Sequence, residues 1–368
     1  MSLIHQYSLI ISDKSMLNTP SMNHRTTQHH ATQHSATKHQ AGFTLIEMLV
    51  SLGIGLFLIA GVFTVYINSN KSQKTVESEV RLVDDARFAL ENITYDFKHA
   101  GIYGLLNHED ADKLVDDPES KLGDFNNIPG QCGGPGVGTD PGWVTNVRMS
   151  VLSSNDTNPY SGSCILPVNY AGGDVLEMRY VSRIDNALAL DANVLYMRGD
   201  SNRGRVFVGS APPAAGDFNA LAENFKMVAK AYYVANYTNT PGDGLSSLRM
   251  VSLQSGPEVK DDLFLEGVID MQLQFGMVAD NTTTSRSVVT WVHPAVDGDA
   301  NAADGTVDWD RVIAARIWLV LKSKERFSDV DTSTKLNVAG VDVSYPNDGF
   351  RRIVVSTAMR LRNMNTGF

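Results

Sequence analysis

The feature that most constrains this chain is an apolar run of 25 residues, from Phe43 to Ile67. As an α-helix rising about 1.5 Å per residue, such a run is long enough to cross a hydrocarbon core of roughly 30 Å. The sequence therefore predicts a transmembrane helix over residues 43–67. One acid, Glu47, interrupts the run, and a carboxylate inside a membrane costs a few kcal/mol unless it is paired.

The small residues Ala41 and Gly42 come before the apolar run, and no small-residue cleavage site follows it. An ordinary secretory signal has the opposite arrangement, so a cut here would leave the apolar segment in the product. Residues 1–42 hold six of the nine histidines, without cysteine or acidic partners at ligand spacing. We expect this stretch to be a disordered leader without a metal site. Basic residues flank the run on both sides and do not decide its orientation.

The stretch G-F-T-L-I-E at residues 42–47 resembles the class III signal of type IV prepilins. The resemblance implies that a prepilin peptidase removes a cytoplasmic leader, residues 1–42, by cutting between Gly42 and Phe43. The same enzyme would methylate the new α-amine of Phe43. Everything after the span would then be periplasmic. In a filament, the Glu47 carboxylate would pair with the amine of a neighbouring subunit. The alternative is that Glu47 only favours the positive end of its own helix.

Residues 68–101 predict a second, amphipathic stretch of helix. Apolar residues recur there at spacings of three, four or seven, and acids and an arginine lie between them. Lys98 and His99 followed by Gly101 are typical of a helix end. The predicted apolar stripe, which we expect to pack on the globular part, consists of Val76, Val80, Val83, Leu90, Ile93 and Phe97.

From residue 102 onward the pattern changes to loops and strands. Four segments predict strands: residues 174–182, 205–210, 227–237 and 247–254. Three later segments, beginning at Ile269, Ile313 and Ile353, alternate apolar and polar residues with period two, which predicts strands with one buried face in a mostly antiparallel sheet. The expected fold class is α+β: a long helix packed on an antiparallel β-sheet head, residues 102–368.

The two cysteines, Cys132 and Cys164, lie beyond the apolar run. In an oxidising compartment they predict a disulfide, and the alternative is two unrelated buried thiols. A further loop places Asp297, Asp299 and Asn301 at alternate positions, as at the start of a calcium loop. The glycine expected at its sixth position is Ala302, so calcium is a weak candidate. No other cofactor is predicted.

The segments around residues 265–277, 311–323 and 349–365 resemble the closing third of PilW-type minor pilins. The resemblance implies a non-enzymatic subunit, anchored in the inner membrane and later in the pilus, that primes pilus assembly at the tip. Its expected partners are the prepilin peptidase, other minor pilins, the major pilin, the inner-membrane assembly platform and, as a further candidate, a tip adhesin. Twitching motility, adhesion and DNA uptake are the implied processes.

Two alternatives stay open on the sequence alone. A J-type pseudopilin of a type II secretion system shares the signal and a sheet-rich head. A membrane-anchored binding module that never enters a filament is the other. The net charge of −10 and the scattered basic residues argue against direct nucleic-acid binding. No nucleophile–base motif of an enzyme occurs.

Overall fold

The computed structural model describes residues 42–106, 128–132, 142–147, 150–160, 164–186, 188–201, 203–278, 287–288, 290–294, 311–327 and 331–361. The chain divides into two compact units, Met1–Val65 and Tyr66–Phe368. One helix, α1, extends over Leu45–His99 and contributes to both units. It ends as the sequence predicts, because Gly101 follows with φ 78°, a conformation that glycine adopts without a steric cost.

The described residues of the second unit form thirteen strands, and all of the pairings between these strands are antiparallel. Seven of them form one sheet, in which β2 pairs one side of β5 while β3 and β6 pair the other. The strands of this sheet are β1 (Val151–Ser154), β2 (Tyr170–Arg183), β3 (Leu195–Gly199), β4 (Gly204–Val208), β5 (Glu223–Ala235), β6 (Ser247–Gln254) and β7 (Glu258–Glu266).

A four-stranded sheet has the order β13-β10-β8-β9, and a separate hairpin pairs β11 with β12. These strands are β8 (Val268–Met277), β9 (Thr290–Val292), β10 (Val312–Lys322), β11 (Thr334–Val338), β12 (Val341–Tyr345) and β13 (Arg352–Arg360). The predicted alternation holds in β10, where Ala315, Ile317 and Leu319 are buried and Arg316 is exposed. The α+β fold class is therefore confirmed.

The main core lies where the second unit's part of α1 meets both large sheets. It includes Ile93 and Phe97 of the helix, Leu176 of the seven-stranded sheet, and Leu273 and Ile317 of the four-stranded sheet. The opposite face of the seven-stranded sheet packs against irregular segments that include Tyr103, Trp143 and Tyr160. Because both faces are covered, the centre of β2 is a continuous buried run rather than an alternating one.

The predicted helix stripe is only partly right. Leu90, Ile93 and Phe97 are buried, but Val76 and Val80 are about half exposed. The buried face instead begins at Leu82 and also includes Ala86, Ala89 and Asp96. The spacing of the apolar residues predicted a buried stripe that begins too near the N-terminus. Burial depends on which turns of the helix the sheets cover, and spacing does not show this.

Candidate functional site

The first described turn of α1 contains a reciprocal cap made by Thr44 and Glu47. The Glu47 Oε2 atom accepts hydrogen bonds from the Thr44 backbone N–H and hydroxyl, each at 2.9 Å. The Thr44 hydroxyl in turn accepts from the Glu47 N–H at 3.3 Å. This is a T-x-x-E capping box, which satisfies donors that a helix N-terminus otherwise leaves unpaired. The sequence analysis had not assigned Thr44 a role, although the threonine–glutamate spacing signals one.

The described apolar side chains of the first unit are exposed. Phe43 and Phe57 are 88% and 81% exposed, and the aliphatic residues between them are also exposed. Of the described helices, only α1 is long and apolar enough to span a membrane by length and composition. Its most apolar window has a mean hydropathy of 2.4 and is not buried by the chain itself. Exposed apolar surface of this extent indicates a membrane or subunit contact.

The glycines of the N-terminal region are unobstructed. A Cβ atom built on Gly42, Gly53, Gly55 or Gly61 would meet no atom within 4 Å. No contact with a described residue therefore requires glycine at these positions. In membrane helices, small residues of this kind let another helix approach closely.

In the second unit, Asp96 attaches α1 to the seven-stranded sheet. Its carboxylate accepts hydrogen bonds from the Tyr180 and Tyr232 hydroxyls at 2.6 Å each, and from Lys230 Nζ at 2.9 Å to both oxygens. Burial and the neighbouring carboxylate raise the pKa of both tyrosines, which keeps their hydroxyls protonated as donors. Asp96 is one of the acids that lie between the apolar residues of the predicted amphipathic stretch, and the solvent-facing position expected for such an acid is wrong, because Asp96 is buried.

Another part of α1 remains open. Val76 and Val80 line a shallow groove together with Glu77, Arg81 and Asp84. A second groove lies at the C-terminal end of α1. Its walls include Tyr95, which is 57% exposed. The other wall residues include His99, Leu105, Tyr180, Arg183 and Glu223. These two grooves are candidate contact surfaces for other subunits.

The two cysteines form a disulfide, with a Cα–Cα distance of 4.7 Å between Cys132 and Cys164.

A buried polar cluster lies on β2, beneath the irregular segments that cover this face of the seven-stranded sheet. Its Glu177–Arg179 pair is 2.9 Å apart and almost inaccessible, and Glu177 also accepts from the Trp143 indole N–H. Because its donors are satisfied, this buried pair has the features of a structural element.

The remaining predicted sites fall outside the described residues. The calcium candidates Asp297, Asp299 and Asn301 lie in residues 295–310, and the leader up to residue 41 is likewise not described. Within the described part of the chain, no group of three or more histidine, cysteine or acidic side chains could hold a metal ion. The calcium prediction stays untested.

Comparison with known proteins gives two family matches. Residues 231–363 match the model of the type IV pilus-assembly protein W family, PilW. Residues 37–63 match the prokaryotic N-terminal methylation motif, which includes Gly42, Phe43 and Glu47. No curated protein sequence matches the chain.

Among solved structures, the chain is similar to a type IV-like pilin from Thermus thermophilus at 11% identity. The match covers 77% of this chain and 98% of that one, with a TM-score of 0.30, and a likeness at that level carries no functional inference. The two family matches cover the N-terminal signal and the C-terminal strands that resemble PilW-type minor pilins. Together they support a PilW-like type IV minor pilin that acts in pilus assembly.

Proposed function

We propose that a prepilin peptidase cuts the chain between Gly42 and Phe43 and methylates the new amine of Phe43. Residues 43–67 then hold the protein in the inner membrane, with residues 68–101 and the β-rich domain 102–368 in the periplasm. The match of residues 37–63 to the methylation motif supports this processing. The open surroundings of Gly42 support it as well, since a peptidase needs access to extended backbone there.

We further propose that Glu47 has two roles, one before and one after assembly. In the isolated chain its Oε2 atom caps the helix through Thr44. A carboxylate has about four acceptor positions, so capping by one oxygen leaves capacity for another donor. Inside a filament, that donor is the α-amine of Phe43 of a neighbouring subunit. The pairing compensates two charges that would otherwise be costly in an apolar bundle.

The protein would join other minor pilins in a complex that primes assembly and sits at the pilus tip. Its partners there are the major pilin, the assembly platform and, as a candidate, a tip adhesin. The observation that carries this proposal is the acid at Glu47 among exposed apolar side chains, an arrangement that needs a partner for both the charge and the apolar surface. The half-exposed Val76 and Val80 and the exposed Tyr95 are further surface that such partners can cover.

The test is complementation of a strain that lacks the gene, with Glu47→Ala, Glu47→Gln and the control Glu91→Ala. Glutamine also forms capping boxes, so Glu47→Gln removes the charge while keeping the cap. We expect both Glu47 variants to stay in the membrane and to be lost from sheared pili. Glu91→Ala removes an exposed acid of α1 that lies outside the apolar run and outside both grooves, and it should behave like the wild type.

The outcomes separate the alternatives. Normal incorporation of Glu47→Gln together with loss of Glu47→Ala would show that capping, not charge pairing, is what assembly needs. Normal function of both variants would contradict the filament role and support a membrane-anchored binding module. A J-type pseudopilin would depend on Glu47 but would affect protein secretion rather than pili.

A further inference from the structure

A carboxylate is buried where the two large sheets meet. Asp174 of β2 has no exposed surface. Its Oδ2 atom accepts a hydrogen bond from the Leu273 N–H of β8 at 2.6 Å, and its Oδ1 atom accepts from the Asp156 N–H at 3.1 Å. Asp174 therefore joins the seven-stranded sheet to the four-stranded sheet and to the turn after β1.

The backbone is unusually close to β8 at this point. Gly173, the residue before Asp174, has φ 78°, and a Cβ atom there would lie 2.8 Å from Asp270 Oδ1 and 2.9 Å from the Met271 carbonyl oxygen. Only glycine fits both the conformation and the space. The sheets are thus held at a fixed, short distance around Asp174, and little room remains for solvent to stabilise a charge.

The groups that face Asp174 are mostly acidic. Asp156 and Asp270 are the charges that act on it most strongly, and both are negative. Gln272 bridges these two acids, donating to Asp156 at 2.9 Å and to Asp270 at 3.1 Å. Tyr170 of β2 donates to the Gly173 carbonyl oxygen.

We call the contact of β2 with β8 around Asp174 the junction. On its side towards the β11–β12 hairpin lies Tyr345 of β12, whose pKa is raised by burial and by Asp270. Arg352 stacks on the Tyr345 ring with a guanidinium-to-centroid distance of 5.0 Å, and its guanidinium pairs with Asp348. Arg352 is therefore engaged with an acid of its own on this side. Among the described residues, these acids do not form a group that could hold a metal ion, and a proton can reduce the charge at this place.

We propose that the contact between β2 and β8 is controlled by protonation of Asp174: the neutral acid holds the two sheets together, and its ionisation loosens them. Burial raises the pKa of Asp174 to about 8, the two backbone N–H groups oppose this rise, and Asp156 and Asp270 add to it. Since the folded-state pKa lies above the ordinary value of 3.8, the stabilisation is complete below about pH 4 and is lost as pH rises through about 8.

The contact between β2 and β8 also joins two parts of the protein, of which only one matches the PilW family model. β8 lies within residues 231–363, which match the PilW family model, and β2 lies outside that match. Ionisation of Asp174 would thus change how the unmatched part, which includes β1 and β2, is held against the PilW-type part. This inference does not depend on the filament role.

The test is thermal unfolding of the full chain in detergent micelles between pH 5 and pH 9, for wild type, Asp174→Asn and Asp261→Asn. Asparagine stays neutral at every pH and can still accept from the Leu273 N–H. We expect the Tm of the wild type to fall by several degrees from pH 6 to pH 9, and the Tm of Asp174→Asn to change much less. Asp261, which binds Arg249, Tyr233 and Tyr237, is the control. Its variant should be less stable at every pH but keep the wild-type slope.

A second variant keeps the proposal testable if Asp174→Asn does not fold. Asp156 has φ 48°, which asparagine tolerates, so Asp156→Asn removes one neighbouring charge with little backbone cost. It should move the fall in Tm to lower pH. Hydrogen exchange of the Leu273 peptide, corrected for its intrinsic pH dependence, gives the local readout and should lose protection at high pH only when Asp174 is present. An equal pH dependence of Tm in wild type and Asp174→Asn, or no shift in Asp156→Asn, would overturn the proposal.

Discussion

The apolar run at residues 43–67 and the stretch from Leu82 to Phe97 belong to one helix, yet their side chains have opposite surroundings. Phe57 is 81% exposed, whereas Ile93 is completely buried against both large sheets. The acids differ in the same way: Glu47 is exposed and bonded only within its own turn, while Asp96 binds three side chains of the sheet. The first region depends on contacts outside the chain, and the second is stabilised by the chain itself. Changes in the second should therefore alter the stability of the head, and changes in the first should alter assembly.

The largest effect on head stability is expected from removing the disulfide. The Cys132–Cys164 bridge closes a loop with a sequence separation of 32. In the chain-entropy model, the double variant Cys132→Ser/Cys164→Ser should lose about 3–4 kcal/mol of unfolding free energy. Denaturant unfolding of the full chain measures this loss, and cleavage at Gly42 should be unaffected. An unchanged unfolding midpoint would show that the bridge does not constrain the head.

A somewhat smaller effect is expected at Asp96. Asp96→Asn keeps the size but leaves Lys230 without its counter-charge, which should cost about 2–3 kcal/mol. The cost is below that of a fully buried pair because the Lys230 side chain is 25% exposed to water. The matched control is Asp84→Asn, an exposed acid of the same helix that is 4.0 Å from Arg87 and should change stability by at most about 0.5 kcal/mol. Equal unfolding free energies for the two variants would contradict the anchoring role of Asp96.

The smallest effect is expected at Thr44, and it separates the capping interaction of Glu47 from the role of its charge. Thr44→Val removes the hydroxyl that shares the capping box but leaves the carboxylate free to pair. We expect incorporation into sheared pili close to that of the wild type, in contrast to the loss in Glu47→Gln. Quantitative immunoblots of pilus and membrane fractions measure both. If Thr44→Val were lost from pili as completely as Glu47→Gln, the capping interaction would have to be essential for assembly.

The parts of the fold that are encoded locally could be predicted from the sequence. The long helix follows from its apolar run, its end from Gly101, and strands β8, β10 and β13 from alternation of period two. The short strands β1, β9, β11 and β12 carry too few residues for a periodic signal. The disulfide was predictable because the chain has only two cysteines.

The buried acids could not be predicted in the same way, because their partners are distant in sequence. Asp96 binds tyrosines that are 84 and 136 residues away, and Asp174 accepts from a backbone group 99 residues away. Read locally, a charge on an amphipathic helix indicates the solvent face, and that rule misplaced Asp96. Glu47 was recognised because its whole motif lies within six consecutive residues.

The central claim is that the N-terminal region acts in a filament after the leader has been removed. Intact mass spectrometry of the protein in sheared pili, with sequencing of its N-terminal peptide, tests this most directly. We expect a chain that begins at Phe43 and carries one methyl group on its α-amine. Recovery from pili of a chain that still includes residues 1–42 would contradict the account, because the amine that is to neutralise Glu47 would not exist.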